Sequence, residues 1–212
     1  MYQIDKGKND IKKLEKRLFS DLGFRERDHL QEWIAKHPEV LGEELLIIQK
    51  EFDGFDDTKE RLDLLALDKD GGLVIIENKL DDSGKNVTWQ ALKYASYCST
   101  LTKVQVVDVY QKYIDKYEDG GDAKAQIVSF LGEEDFDSIV LNKGVGQRIM
   151  FVANKFRKEV TSTVLWLLEQ QLQIQCFKAT PYSMGEELFL QIDQIIPTPE
   201  AKEFMIGISA KN

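Results

Sequence analysis

Cysteine is scarce: Cys98 and Cys176 are the two in 212 residues, and neither sits in a CxxC pair. That excludes a disulfide framework and argues against zinc, so both thiols are expected as reduced core residues. Histidine is equally sparse. His29 and His37 flank the first expected helix with no third ligand at metal spacing, and they read as structural or surface groups. Four prolines, no internal repeat and no low-complexity run, with 42% hydrophobic and 31% charged residues, describe a folded chain rather than a disordered or fibrous one. No apolar stretch approaches the ~20 residues that span a bilayer, and "MYQIDKGKND" at the N-terminus has no apolar signal core. No membrane partner is expected, and the expected location is cytoplasmic. Net positive charge is missing too. A chain at −9 does not coat nucleic acid by charge alone, although an enzyme can still gather basic residues around one groove.

What is present alternates between helical and strand character. "ERDHLQEWIAKHPEVL" predicts a helix over 28–37, with Asp28 and Gln31 as a capping box and Pro38 as the stop. Strand character follows in "ELLIIQKEF" (44–52), then a turn-rich loop "DGFDDTKE", then "RLDLLALDKDGGLVIIENKL" (61–80), two apolar strands folded over a tight turn. "TWQALKYASYCSTL" (88–101) reads as an amphipathic helix with Leu92, Ala95, Cys98 and Leu101 as its apolar stripe. Residues 103–142, opened by a Thr102/Gln105 capping pattern and broken by "EDGGD", read as a helical insertion. "GVG" at 144–146 lacks the further glycine of a dinucleotide fingerprint and reads as a loop. Strand, helix and two more strands finish the chain through "QRIMFVAN", "KEVTSTVLWLLEQQ", "IQCFKATPYS" and "ELFLQIDQII". The expectation is a single α/β domain over 1–212, a mixed sheet flanked by helices, with a core at 28–102 and 147–196.

The hairpin at 61–80 carries charge where a core should be. Lys69, Asp70 and Gly71 fit a three-residue loop in which Gly71 supplies the left-handed conformation and Asp68 pairs with Gly72. Counting outward sets Asp63 opposite Glu77, on one face, with Cβ atoms roughly 5 Å apart. Lys79, two residues on, shares that face. Opposed like charges are destabilising, so a compensating partner is expected. A single Mg²⁺ or Mn²⁺ held between Asp63 and Glu77 would supply it, leaving coordination positions for water and a phosphate oxygen. Lys79 beside it could orient or help deprotonate the attacking water and stabilise charge on the transition state.

These residues resemble the D...ExK signature of the PD-(D/E)xK phosphodiesterase superfamily, the restriction-endonuclease-like fold. Gln90 and Tyr94 match the QxxxY motif that follows in RecB-like members, and "LQEWIAKHPEVL" is similar to the helix preceding the hairpin in NucS-like endonucleases. The resemblance covers about residues 28–98; beyond it, only the order of the closing strand, helix and strand is similar. It implies Asp63 and Glu77 as metal ligands, the Asn78 backbone carbonyl as a third, Lys79 as the catalytic lysine, and Gln90 and Tyr94 lining the site. Glu32 stands where some members carry an additional acid on the first helix. The helical insertion, and the absence of the separate N-terminal DNA-binding domain of NucS-like enzymes, are departures that leave the substrate unassigned by the resemblance.

One basic cluster stands out, with Lys143, Arg148, Lys155, Arg157 and Lys158 against Glu159 as the single acid between 141 and 160. It is expected to meet a phosphate backbone if its strand lies beside the hairpin, an ordinary solvated loop being the alternative. The expected function is metal-dependent hydrolysis of DNA phosphodiesters in repair, restriction or defence. The alternative is a nuclease fold that binds nucleic acid or regulates without turnover. An interaction protein that dimerises through the helical insertion is compatible with either, which puts a homodimer among the expected partners.

Overall fold

Burial follows the apolar runs. All of residues 62–67 and the first six residues of the strand that begins at Leu73 are buried, as strands covered on both faces must be. The computed structural model describes residues 1–54, 61–144 and 146–198.

In chain order, β1 (Tyr2–Asp5) and β2 (Asp10–Lys13) form a separate antiparallel hairpin, and β3 (Glu15–Lys16) follows. A π-helical turn, Glu26–Leu30, runs straight into α1 (Gln31–Lys36). Next come β4 (Leu46–Phe52), β5 (Leu62–Leu67), β6 (Leu73–Asp82), α2 (Val87–Cys98), α3 (Lys103–Tyr117) and α4 (Ala123–Leu131). The last elements are β7 (Arg148–Lys155), α5 (Lys158–Glu169), β8 (Gln173–Met184) and β9 (Glu187–Ile196). The main sheet runs β3-β8-β7-β6-β5-β4, with β9 also paired to β8. β4, β5 and β6 are antiparallel, β6, β7 and β8 parallel, and β9 returns antiparallel. The expected α/β class with a mixed sheet flanked by helices is therefore observed. Among the described residues, no helix is long and apolar enough to cross a membrane.

The β5–β6 turn forms as its residues dictate. Asp68 N–H donates to the Gly72 carbonyl at 3.0 Å, Gly71 N–H donates to the Asp68 carbonyl at 3.1 Å, and Gly71 has φ +76°. Asp68 Oδ1 also accepts from the Asp70 and Gly72 amides, tying the turn to its own side chain. The register continues as Leu67↔Leu73 through Leu64↔Ile76, so Asp63 and Glu77 come next. Thr102 and Gln105 form the expected capping box of α3.

Other expectations shift. The first helix begins at Glu26, two residues early, and the Asp28–Gln31 box does not form because Asp28 pairs with Arg25 at 2.8 Å. On α2 the buried stripe is Val87, Thr88, Ala91, Tyr94 and Cys98, rotated from the expected one because Tyr94 turns inward. α3 and α4 share the apolar cluster of the sheet through Val106, Tyr110, Ile114 and Ile127, and α3 lies against β4.

Candidate active site

Continuing the two antiparallel ladders places three acids in one row. Lys50↔Leu64 and Phe52↔Leu62 bracket Glu51 opposite Asp63, and Asp63 stands opposite Glu77. Across the parallel half the row continues as Phe151 and Cys176, both buried apolar residues. Acids on three adjacent strands therefore stand in one row where the apolar face ends, with the Glu51 carboxylate also paired to Arg27 at 3.3 Å. β4 makes this possible by an irregularity, with a register shift between Ile47 and Gln49 and Glu51 at φ +49°.

Glu77 is the most exceptional of them. It is 0% exposed, and neither carboxyl oxygen has a hydrogen-bond partner. Burial, reinforced by Asp63, pushes its pKa up to about 9 against the pull of Lys79. Asp63 is 6% exposed and accepts the Asn78 amide proton on Oδ2 at 2.8 Å. Burial raises its pKa to about 6, with Lys79 and the Asn78 amide opposing and Glu26 and Glu51 adding. Burial thus raises the pKa of both acids of the pair, that of Glu77 the further.

Lys79 sits among the acids. Its Nζ lies 3.9 Å from Asp63 Oδ2, 3.9 Å from Glu77 Oε2 and 3.3 Å from Glu26 Oε1. Burial works against the ammonium, but Asp63, Glu26 and Glu77 outweigh it and hold the pKa above the ordinary lysine value. Glu26 also accepts the Leu80 amide proton at 3.0 Å, so the π-helical turn is pinned to the end of β6.

Other expected residues are distributed as follows. Gln90 and Tyr94 are brought together: Gln90 Nε2 donates to the Tyr94 hydroxyl at 3.0 Å, and that hydroxyl donates to the Arg61 carbonyl at 2.9 Å. They thus brace β5 two residues before Asp63. Replacing Tyr94 with Phe is expected to destabilise the fold by about 1 kcal/mol, since the hydrogen bond from the buried ring's hydroxyl to the Arg61 carbonyl is lost; urea unfolding of the variant checks this. Glu32 is not brought to the cluster. It pairs with Lys50 at 2.7 Å, and Lys50 stands opposite Leu64, on the other face of β5 from Asp63. Its expected place beside the acids is taken by Glu26, which sequence reasoning missed because the helix starts earlier than its capping pattern indicates. Glu51 was missed too; the expected loop between β4 and β5 lies largely outside the described residues, and its sequence carries no turn signal that fixes that register.

The basic residues divide. Arg148 lies three residues before Phe151, with its guanidinium held by Glu43 at 2.6 Å, Asp68 at 3.3 Å and Gln175 at 2.6 Å. Hydrogen bonding to Glu43 keeps it charged, and it is separated from the basic loop. Lys155 pairs in register with Asp82, three residues beyond Lys79, and Arg157 Nε meets Asp82 Oδ1 at 2.5 Å. Lys155, Arg157 and Lys158 therefore lie at the same strand end as Lys79.

Asp63 and Glu77 are the two acids that could share an ion. Among the described residues no group of three or more Asp, Glu, His or Cys side chains is arranged to hold a metal. Mg²⁺, which keeps several waters and needs one or two carboxylates, is the kind of ion that Asp63 and Glu77 could hold. Glu77, whose two buried oxygens accept no hydrogen bond, is the group such an ion would satisfy.

No family model matches the chain, and no curated protein does. Among solved structures it is similar to the EndoMS–dsDNA2 complex (15% identity, TM-score 0.40, covering 72% of this chain and 44% of that chain). It is also similar to a repair endonuclease from Pyrococcus abyssi (15% identity, TM-score 0.35, covering 73% and 48%). The chain spans under half the length of either structure.

Proposed function

We propose that the chain is a nuclease that hydrolyses DNA phosphodiester bonds with Mg²⁺ or Mn²⁺, serving repair, restriction or defence. The observation that carries this reading is Glu77, fully buried with neither oxygen accepting a hydrogen bond, beside a second acid on the next strand and a lysine ammonium 3.9 Å from each acid. Asp63 and Glu77 would hold the ion, with the Asn78 backbone carbonyl as a further ligand. Bound there, it would supply Lewis-acid polarisation of a phosphodiester and neutralise charge.

The chain's own groups supply the rest. Lys79, held charged by its acids, is a donor rather than a base in this state, and it stabilises negative charge gathering on the phosphate. Gln90 and Tyr94 hold the strand that presents Asp63. Lys155, Lys158 and Arg157 receive the DNA backbone at the same strand end, with Arg157 partly neutralised by Asp82.

The test is incubation of the protein with Mg²⁺ or Mn²⁺ and duplex, single-stranded, branched and mismatched DNA. Cleavage of at least one substrate is expected, and Asp63→Asn is expected to abolish it while the melting temperature is retained. A wild type that cuts none of these with either metal would sink the enzymatic reading. If it also bound DNA without binding Mn²⁺, the inactive nucleic-acid-binding reading would replace it.

A further inference from the structure

From the β1–β2 hairpin we infer a duplex-DNA docking arm, a two-stranded ribbon that enters the major groove beside the candidate active site. The inference rests on the nuclease reading for its substrate class. Three observations carry it.

The first is that the hairpin stands apart from the main sheet. Every residue of β1 and β2 except Asp5 is exposed, and among the described residues the two strands pair only with each other. An isolated two-stranded hairpin is marginal in water, and this one also displays Tyr2, Ile4 and Ile11 at 55, 77 and 58% exposure. Ile4 and Ile11 are directly paired, so the apolar groups stand together on one face. A partner that covers that face would stabilise the hairpin.

The second is charge. On a chain whose net charge is −9, residues 1–17 carry Lys6, Lys8, Lys12, Lys13, Lys16 and Arg17 against Asp5, Asp10 and Glu15. This segment alone is net positive by a clear margin, on a background that repels polyanions. An acidic surface, including the rest of a second copy, would also be attracted to it. Duplex DNA is favoured by shape and by place: a two-stranded β-ribbon fits the B-form major groove, and strands of four residues reach about 13 Å, beyond the ~8.5 Å groove depth.

The third is where the arm is rooted. Glu15 and Lys16 pair with Ser183 and Tyr182 of β8, and Arg17 N–H donates to the Pro181 carbonyl at 3.0 Å. Phe19, fully buried, donates its amide proton to Asp81 Oδ1 at 3.2 Å, two residues past Lys79. β6, β7 and β8 are parallel, so Asp81, the Lys155–Lys158 loop and the root of the arm share one end of the sheet. A duplex lying over that end can touch the arm and the carboxylates at once.

The experiment compares wild type with a K6Q/K8Q/K12Q/K13Q variant, all exposed positions, on a 20-bp duplex DNA and a duplex RNA of the same sequence, in EDTA over a salt series. Wild type is expected to prefer DNA, because the A-form major groove is too narrow and deep to admit the ribbon. The variant is expected to bind DNA at least tenfold more weakly near 0.1 M salt. Its log–log salt slope should be shallower by about 2 to 4, at ~0.9 for each phosphate no longer neutralised. Mn²⁺ binding and cleavage at saturating DNA should be unchanged, with the loss confined to KM. Equal DNA affinity for variant and wild type overturns the arm while leaving the nuclease reading standing. Arm-dependent DNA binding by a wild type that never cleaves overturns the nuclease reading and keeps the arm. Equal affinity of wild type for duplex RNA overturns groove insertion. An I4S/I11S variant that falls from dimer to monomer with DNA binding intact makes the hairpin a contact between copies and also overturns the assignment.

Discussion

Replacing Glu77 with Gln is expected to raise the melting temperature of the metal-free protein at alkaline pH, while removing both Mn²⁺ binding and cleavage. The sign follows from where the proton sits. Glu77 has an ordinary value of 4.5 and is pushed up to about 9 in the fold, first by burial and then by Asp63. The native state therefore holds a proton that the unfolded chain releases, and stability falls as pH rises through that window, by up to about 1.4 kcal/mol per pH unit. Gln keeps the shape and cannot ionise, so the slope should flatten in the variant above pH 6. Below that, Asp63, raised from 3.8 to about 6 by its own burial, contributes a smaller slope of the same sign in both proteins. Mn²⁺ reverses the trend for wild type alone. It must displace the Glu77 proton to bind, so the stabilisation it gives should grow with pH. Thermal melts at pH 5, 7 and 9, in EDTA and in Mn²⁺, read all of this. Cleavage by E77Q should fall about 10³-fold or more, the equivalent of some 4 kcal/mol of lost charge stabilisation. A variant that keeps the wild-type pH slope, or that Mn²⁺ still stabilises, contradicts the placement of the ion.

That Asp63, Glu77 and Lys79 share a face could be read from the sequence because short-range chemistry encodes it. The "DKDGG" turn fixes the register, and a period of two does the rest, as the Asp68–Gly72 hydrogen bond and the Lys79 distances show. α3 was equally legible through the Thr102–Gln105 box, a purely local device. The residues that escaped depend on long-range packing. Glu51 joins the row through a ladder whose connection carries no register signal, and through a backbone at φ +49° that no glycine announces. Glu26 joins through a π turn, where an extra residue per turn shifts the side chain from its α-helical direction. The inward turn of Tyr94 was hidden because its hydroxyl partner, the Arg61 carbonyl, lies 33 residues away. The β1–β2 hairpin escaped because its strands are four residues each, and Tyr2, Ile4 and Ile11 are too few apolar positions to set a readable alternation.

Lys79→Met is expected to separate ion binding from turnover, which no change at Asp63 or Glu77 can do. The lysine ammonium is the cation that Glu26, Asp63 and Glu77 share, and it lowers the pKa of both Asp63 and Glu77. Without it those two acids take up protons more tightly, so the metal-free variant should lose stability more steeply than wild type as pH rises. Both carboxyl ligands remain, and Mn²⁺ should still bind, more weakly at pH 7 and with the gap narrowing at higher pH as the retained proton is given up. Cleavage should nevertheless drop by about 10²- to 10⁴-fold, because the donor aimed at the developing phosphate charge is gone. Lys79→Arg keeps a charge and should retain most of the stability, which separates loss of the cation from loss of packing. Adding Glu26→Gln to Lys79→Met removes the acid the lysine neutralised at 3.3 Å, so the double variant should be more stable than Lys79→Met alone. Calorimetry with Mn²⁺ and single-turnover cleavage on the same preparations decide the matter. A Lys79→Met protein that cuts within tenfold of wild type removes lysine from the chemistry, and one that no longer binds Mn²⁺ at any pH makes it part of the ion's holding frame instead.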